Sequence, residues 1–243
     1  MENKAKHWVT SFFFLFTVLL LEYYYIIPLW PKSENYIIGL QTGASDAKKK
    51  FWHIYSDVGL YVVMAVAPIV MLLYTSQRPR LFYYISVLTG LLFVMNVSKL
   101  FYHNARPFWQ WVDVEAISCS SQFGNPSGHS MFSLGAPLIY WLDYNSAVDS
   151  SHKFGSKTYR VLFLAIAITL GITVGYSRMF LGVHSIDQVF FGWSLGLWLA
   201  YTYHNCLRDG IMETAKGLIE VTDTAYTCRS LECTAALVAA MGI

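Results

Sequence analysis

Long apolar runs, separated by short polar segments, make up most of this sequence. A helix needs about 20 apolar residues to cross the hydrocarbon core of a membrane, and roughly 17 is the practical minimum. Six runs approach that length and predict six helices, over residues 8–30, 58–74, 82–98, 126–142, 161–177 and 188–205. Periodicity alone does not distinguish a buried helix from a spanning one, but six such runs leave little polar surface for a water-soluble fold. The pattern therefore predicts an all-α, polytopic membrane protein with six transmembrane helices in a helical bundle.

The composition agrees with a membrane location and argues against several other classes. Hydrophobic residues make up 55% of the chain and charged residues 13%, against about 25% charged residues in a typical soluble domain. The net charge of +2 is too small, and the basic residues are too dispersed, to predict binding of nucleic acid. The four cysteines are too few for a disulfide framework and are not spaced as zinc ligands.

The sequence indicates one domain with both termini on the same side of the membrane. We divide it into an N-terminal helix and loop (1–56), a core with five helices (57–207) and a C-terminal tail (208–243). If the N-terminus is cytoplasmic, the inner loops carry more Lys and Arg than the outer loops, which is the usual arrangement. This bias predicts cytoplasmic termini, although the basic segment 46–50 opposes it.

Two cations follow the third predicted helix. Lys99 and Arg106 are seven positions apart, so on a helix they would lie on nearly the same face, about two turns apart. Pro107 biases Arg106 away from helical geometry, which places the arginine where the helix ends. Both side chains could then reach one anion. The alternative is a Lys and an Arg that extend from a helix end to the membrane surface.

The polar stretch "NPSGH" precedes the fourth predicted helix. Asn125 suits a helix cap, and Pro126 suits the first turn. The free backbone N–H groups of such a helix start bind anions, and here Gly128 would allow close approach while the Ser127 hydroxyl adds a donor. His129 would stand beside that anion as a proton donor. The alternative is an ordinary capped helix whose histidine is solvated.

A third polar cluster lies between the fifth and sixth predicted helices. Arg178 ends one apolar run, and His184 precedes the next. By helix count, this cluster lies on the same side of the membrane as the other two, which come after the third helix and before the fourth. The agreement favours one shared site, on the non-cytoplasmic face if the termini are cytoplasmic.

The residue types of the three clusters suit phosphate chemistry. Three cations and a helix N-terminus favour a phosphate group, and two histidines suit a two-step transfer with one as nucleophile and the other as acid. No Asp-rich stretch of the kind that holds magnesium is found in the sequence. We therefore expect hydrolysis of a phosphomonoester or pyrophosphate without a metal or another cofactor.

At these residues the chain resembles the superfamily of type 2 phosphatidic acid phosphatases and vanadium haloperoxidases. The motifs of that family are K-x6-R-P, P-S-G-H and S-R-x5-H-x3-D. They match here at 99–107, at 126–129 and at 177–184. The resemblance covers roughly residues 57–205 and implies a membrane core of six helices.

The resemblance also implies roles for the residues of the three clusters. His184 would attack phosphorus to form a phosphohistidine, and His129 would protonate the leaving oxygen before water hydrolyses the intermediate. The residues that would hold the phosphoryl oxygens are Lys99, Arg106, Ser127, Gly128 and Arg178.

One position departs from the family pattern. The family has an Asp four residues after the nucleophilic histidine, where this chain has Gln188, with Asp187 one residue earlier. On a helix both positions neighbour His184, so Asp187 could orient it from a shifted angle, or Gln188 could fix its tautomer without supplying charge. Glucose-6-phosphatases resemble this chain in having a Gln there and an aromatic pair after the Arg-Pro, here Phe108 and Trp109.

Three functions follow from these patterns. A lipid phosphatase acting on phosphatidate or on a sphingoid or polyprenyl phosphate is the main expectation, because the chain has the size of those enzymes. A sugar phosphatase similar to glucose-6-phosphatase is one alternative, and a catalytically silent relative that binds lipid phosphate or a partner protein is the other. We expect a multi-pass protein among membrane lipids, in the endoplasmic reticulum or another endomembrane in preference to the plasma membrane. The sequence does not indicate its oligomeric state.

Overall fold

The computed structural model describes residues 2–73, 78–147 and 156–222, and these segments form helices and loops with no strand. The helices in chain order are α1 (Glu2–Leu21), α2 (Trp30–Gln41), α3 (Asp46–Leu73), α4 (Arg78–Tyr102), α5 (Pro107–Gln110), α6 (Gly128–Ala147), α7 (Lys157–Phe180) and α8 (Ile186–Thr202). A π-helical turn and a 3₁₀ turn, Glu22–Ile26 and Ile27–Leu29, join α1 to α2. A second π-helical turn, Tyr203–Leu207, continues α8 into residues 208–222, which are also helical.

The described part of each predicted apolar run is helical, apart from residues 126 and 127 before α6, which confirms the all-α prediction. Among the described residues, three helical stretches are long and apolar enough to cross a membrane, namely Lys4–Gln41, Arg78–Gln110 and Lys157–Phe180. The runs near 58–74, 126–142 and 188–205 correspond to α3, α6 and α8. That these three also cross the membrane stays a prediction.

The helix α6 lies at the centre of the bundle, where it packs on α3, α4, α7 and α8. The shared core contains large apolar side chains from α4, α6 and α8, among them Tyr83, Leu91, Met131, Ile139 and Phe191. Large apolar side chains on the outer faces stay exposed, for example Phe13, Phe93 and Ile172. Extensive exposed apolar surface of this kind marks a membrane-facing protein.

Glycines bring α6 and α8 into close contact. A Cβ atom on Gly135 would lie 3.0 Å from Cα of Gly196, and one on Gly192 would lie 2.5 Å from the carbonyl oxygen of Ser127. Small residues of this kind allow helix backbones to approach each other within a membrane. The contact seats the start of α6 on the first turns of α8, so the segment around Ser127 adjoins the loop that carries His184.

An ionic cluster lies near the other end of α6. Asp143 is buried and accepts a 2.8 Å hydrogen bond from the hydroxyl of Tyr84. The guanidinium groups of Arg80 and Arg208 lie 3.4 Å and 2.6 Å from the same carboxylate. The cluster ties α4 and the helical segment after α8 to α6.

Candidate active site

A cavity of about 180 Å³ opens where the C-terminal ends of α4 and α7, the start of α6 and the loop before α8 meet. The predicted site residues that line it are Lys99, Arg106, Gly128, His129, Arg178 and His184. Most of the remaining wall is apolar and consists of Leu60, Met64, Leu92, Met95 and Phe132. The cavity therefore has a cationic side beside an apolar side.

Arg106 is fixed by backbone carbonyl groups. Its Nε donates a 2.6 Å hydrogen bond to the carbonyl of Gln122, and one terminal nitrogen donates a 3.0 Å bond to the carbonyl of Val183. The same terminal nitrogen lies 3.2 Å from Nε2 of His184. Arg106 has extended backbone angles directly before α5, as Pro107 predicts. These contacts hold the guanidinium against the histidine.

Lys99 and Arg178 complete a group of three buried cations. Nζ of Lys99 donates a 3.2 Å hydrogen bond to the side-chain oxygen of Gln122, and Arg178 donates a 2.9 Å bond to the hydroxyl of Ser56. Within the described segments, neither of them nor Arg106 has a carboxylate within ion-pair distance. Buried charges are normally paired with opposite charge. Three buried cations that converge without a neighbouring carboxylate favour binding of an anion.

The contact between His184 and Gln188 defines the tautomer of the histidine. Nε2 of Gln188 lies 2.8 Å from the carbonyl oxygen of Ala105, and because a carbonyl only accepts, this atom is the amide nitrogen. Oε1 therefore faces His184 and lies 3.1 Å from its Nδ1. Nδ1 carries the proton and donates to Gln188. Nε2 is left unprotonated and directed toward Arg106 and the cavity.

The surroundings of His184 keep its imidazole neutral. Its pKa is well below the ordinary value, first because the side chain is buried and then because Arg106, Arg178 and Lys99 add positive charge. A neutral imidazole with a free ring nitrogen is the form that acts as a nucleophile. The site therefore holds His184 in the reactive form across neutral pH.

Asp187 lies on another side of the loop. It lines a separate cavity of about 660 Å³ with Tyr23, Trp30 and His103, and Gln188 makes the contact with His184. The expectation that Asp187 and Gln188, three and four residues after His184, both neighbour it assumes that His184 lies on the helix. Instead α8 begins at Ile186, and Gln188 belongs to a capping box that folds its side chain back toward the loop.

Ser127 and Gly128 form the start of α6. The backbone N–H of Ser127 donates a 2.9 Å bond to the carbonyl of Gln188, and its hydroxyl accepts a 2.8 Å bond from Ser130. The Ser127 side chain thus contacts α6 and does not line the cavity. The first intrahelical bond runs from the N–H of Met131 to Ser127, so the N–H groups of Gly128 and His129 precede it.

The prediction that Asn125 caps α6 is wrong. Its side-chain Nδ2 donates a 2.5 Å hydrogen bond to Oε1 of Glu22, and both side chains are fully buried. Glu22 is the charged residue that interrupts the first apolar run, and this pairing accounts for a carboxylate within that run. The bond fixes the end of α1 to the segment that precedes α6.

Two residues of the site lie outside the motifs found in the sequence. The side chain of Gln122 contacts Lys99 and its carbonyl contacts Arg106, and Asp57 on α3 lies 3.7 Å from Nε2 of His129. Gln122 carried no sequence signal. Asp57 had a weak one, since it is a carboxylate directly before an apolar run.

Comparisons with known proteins show which proteins this chain resembles in sequence. A family model described as the PAP2 superfamily matches residues 80–211. The chain is 29% identical over 127 residues to dolichyldiphosphatase 1 of Dictyostelium discoideum, covering 51% of this chain and 52% of that protein. It is 32% identical over 132 residues to phosphatidylglycerophosphatase B of Bacillus subtilis (strain 168), covering 50% and 59%. The matched segments thus span between half and three fifths of the length of these relatives.

The fold is also similar to a solved structure. The crystal structure of a transmembrane PAP2 type phosphatidylglycerolphosphate phosphatase from Bacillus subtilis matches with a TM-score of 0.62. The match covers 84% of this chain and 94% of that chain at 20% sequence identity. At this identity the likeness shows a shared transmembrane helical fold.

Proposed function

The chain belongs to the PAP2 superfamily, and from this we propose that it is an integral membrane phosphatase that hydrolyses a lipid phosphate through a phosphohistidine intermediate, without a metal. One observation carries the proposal. An unprotonated Nε2 of His184 faces a cavity whose other lining groups include three buried cations and His129.

The first half of the reaction transfers the phosphoryl group to His184. Nε2 of His184 attacks phosphorus, and the bond between phosphorus and the leaving oxygen breaks. His129 gives its proton to that oxygen, so the product leaves as a neutral alcohol or, from a diphosphate, as a monophosphate. The side chains of Lys99, Arg106 and Arg178 hold the phosphoryl oxygens, whose charge they stabilise in the transition state. The N–H of Gly128 adds a donor from the start of α6.

The second half releases phosphate. Water attacks the phosphorus of the phosphohistidine, His129 takes the proton of that water, and the bond between phosphorus and Nε2 breaks. His129 is then protonated again and His184 is neutral, so the cycle is closed. Gln188 stands in the place of the family's Asp and keeps the proton on Nδ1 of His184 throughout. Ser127 supports the reaction by fixing the start of α6 on α8.

The cavity supports a lipid in preference to a sugar as the phosphate carrier. Apolar side chains from α3, α4 and α6 lie beside the cations, so an acyl or prenyl chain could extend from the phosphate along them. The residues are Leu60, Met64, Leu92, Met95 and Phe132. The relatives point the same way, since one is named for dolichyl diphosphate and the other for phosphatidylglycerophosphate. A sugar phosphate would place hydroxyl groups against this apolar wall without partners.

The geometry also argues against a silent relative. Such a chain has no need to hold one histidine nitrogen unprotonated within a cationic cavity. We further propose that the site faces the non-cytoplasmic side of an endomembrane such as that of the endoplasmic reticulum. The excess of basic residues in the predicted inner loops supports this orientation.

Phosphate release by the purified, detergent-solubilised protein tests the proposal. With EDTA present, the substrates are phosphatidate, phosphatidylglycerophosphate, sphingosine phosphate, a polyprenyl phosphate and diphosphate, and glucose 6-phosphate. We expect release from at least one lipid, its loss in His184→Ala, and its retention in the control His7→Ala. Release by His184→Ala would refute the histidine mechanism, and a preference for glucose 6-phosphate would favour the sugar phosphatase. No release from any substrate by folded protein would favour the silent relative.

A further inference from the structure

We propose that Asp57 is a positioning residue whose carboxylate favours the protonated form of His129, the form in which His129 can act as the general acid. The inference rests on the proposed function and adds to it a carboxylate from α3. Asp57 lies outside residues 80–211, the segment that the family model matches, and it belongs to none of the three motifs.

Asp57 lies between two histidines. Its Oδ1 is 3.7 Å from Nε2 of His129, and its Oδ2 is 3.7 Å from Nδ1 of His53, one turn earlier on α3. Both distances are within ion-pair range and longer than a direct hydrogen bond. A small side-chain rotation or one water molecule would close the gap. Since both oxygens face an imidazole, the carboxylate is held between α3 and the start of α6.

The charges around His129 explain why a carboxylate is needed. Lys99, Arg106 and Arg178 line the same cavity as His129, as does neutral His184. Burial of the side chain disfavours a protonated imidazole, and each of the three cations adds Coulomb repulsion, yet a general acid must carry a proton.

Asp57 supplies the opposite charge. Within the described segments it is the one carboxylate found within ion-pair distance of His129. It also attracts Arg178 electrostatically. Its side chain is 45% exposed, against 25% for His129, so Asp57 stays in contact with solvent while it faces a less exposed histidine. A carboxylate on this side offsets part of the repulsion from the cations.

Asp57 acts through charge and is not itself a proton donor. In the first half-reaction the proton of His129 moves to the leaving oxygen as the bond to phosphorus breaks. In the second half-reaction the attacking water returns a proton to His129. Asp57 exchanges no proton in either step, and its negative charge favours the protonated histidine before the first step and after the second.

Kinetics of Asp57→Asn test the inference, with Asp46→Asn as a matched control. Asp46 lies on the same helix, is exposed, and undergoes the same change of charge. The two substrates are the preferred lipid phosphate, whose alkoxide leaving group needs a proton, and p-nitrophenyl phosphate, whose leaving group does not. We expect Asp57→Asn to lower kcat for the lipid about tenfold or more and to lower it much less for p-nitrophenyl phosphate. The alkaline limb of the kcat profile should move to lower pH by about one unit.

Two results distinguish this role from a structural one. Asp57→Glu should recover part of the lipid activity, and Asp46→Asn should match the unaltered protein. Equal losses with both substrates and an unmoved alkaline limb would overturn the inference, as would unaltered kinetics of Asp57→Asn in an active protein. If the unaltered protein released no phosphate from either substrate, the proposed function and this inference would both be overturned.

Discussion

The side-chain oxygen of Gln188 lies 3.1 Å from Nδ1 of His184, and the amide nitrogen of the same side chain donates to the carbonyl of Ala105. A neutral amide therefore occupies the place where the family pattern has a carboxylate. It fixes which ring nitrogen carries the proton, but it adds no negative charge to a cavity that contains Lys99, Arg106 and Arg178.

Removing this amide should impair catalysis more than folding. We expect Gln188→Leu to lower kcat about tenfold to hundredfold, because the imidazole can then adopt the other tautomer. Gln188→Asp, which restores an acceptor, should recover part of the activity, and the exposed Gln110→Leu should have no effect. Steady-state kinetics beside thermal unfolding check this. If Asp187→Asn lowered kcat by this amount and Gln188→Leu did not lower it, the residue that orients His184 would be Asp187.

The lowered pKa of His184 should make stability depend on pH in a defined direction. An unfolded histidine binds a proton near pH 6.5, whereas buried His184 does so only at lower pH. Unfolding therefore takes up a proton below about pH 6.5, and the stability present above that pH falls by up to about 1.4 kcal/mol per pH unit as the pH decreases.

Thermal unfolding in detergent at several pH values between about 5 and 7.5 measures this slope around the unfolded histidine pKa. In His184→Gln the side chain no longer titrates, so its unfolding temperature should depend less steeply on pH in this range. Parallel curves for the two proteins would show that His184 binds its proton at the same pH in the folded and the unfolded protein. The same lowered pKa predicts that kcat/KM does not decline near pH 6.5 through protonation of His184.

The contact between α8 and the start of α6 should tolerate no added methyl group. A Cβ atom on Gly192 would lie 2.5 Å from the carbonyl oxygen of Ser127. We expect Gly192→Ala to destabilise the protein by about 1–3 kcal/mol and to lower activity, because the shift displaces the start of α6 from the cavity. Gly39→Ala is the matched control, since nothing lies within 4 Å of its added carbon. Unfolding temperature and phosphate release measure both effects, and equal behaviour of the two variants would contradict this packing.

The proposed orientation can be tested with a single exposed thiol. Cys119 is exposed in the loop before α6, on the side of the bundle that carries the cavity, and Cys206 lies beyond α8 on the other side. In sealed endomembrane vesicles, a chain that retains only Cys119 should react with a membrane-impermeant maleimide after the vesicles are opened and not before. A chain that retains only Cys206 is the comparison. Labelling of Cys119 in intact vesicles would place the site on the cytoplasmic face.

Much of the fold and the gathering of the site follow from local properties of the sequence. Apolar runs predict the helices because helix length in a membrane is limited by bilayer thickness. Pro107 predicts the extended backbone of Arg106 because the steric effect acts on the preceding residue. Counting helices is then enough to expect Lys99, His129 and His184 on one side, and the structure places all three around one cavity.

Other features depend on contacts between distant residues. Asn125 has the local chemistry of a helix cap, but its partner Glu22 lies 103 residues earlier in the chain, directly after α1. The choice between Asp187 and Gln188 depends on where α8 begins, and periodicity does not locate helix ends to within one residue. The partner of Asn125 and the residue that contacts His184 could therefore be identified only from the three-dimensional structure.

The buried arginine and glutamine of the site bind main-chain oxygens of the surrounding loops. Arg106 donates to the carbonyls of Gln122 and Val183, and Gln188 donates to that of Ala105. Every amino acid carries such a carbonyl, so these hydrogen bonds do not depend on which side chains Gln122, Val183 and Ala105 carry. The loops can thus vary in sequence without loss of these hydrogen bonds, around the residues that we propose hold the phosphate.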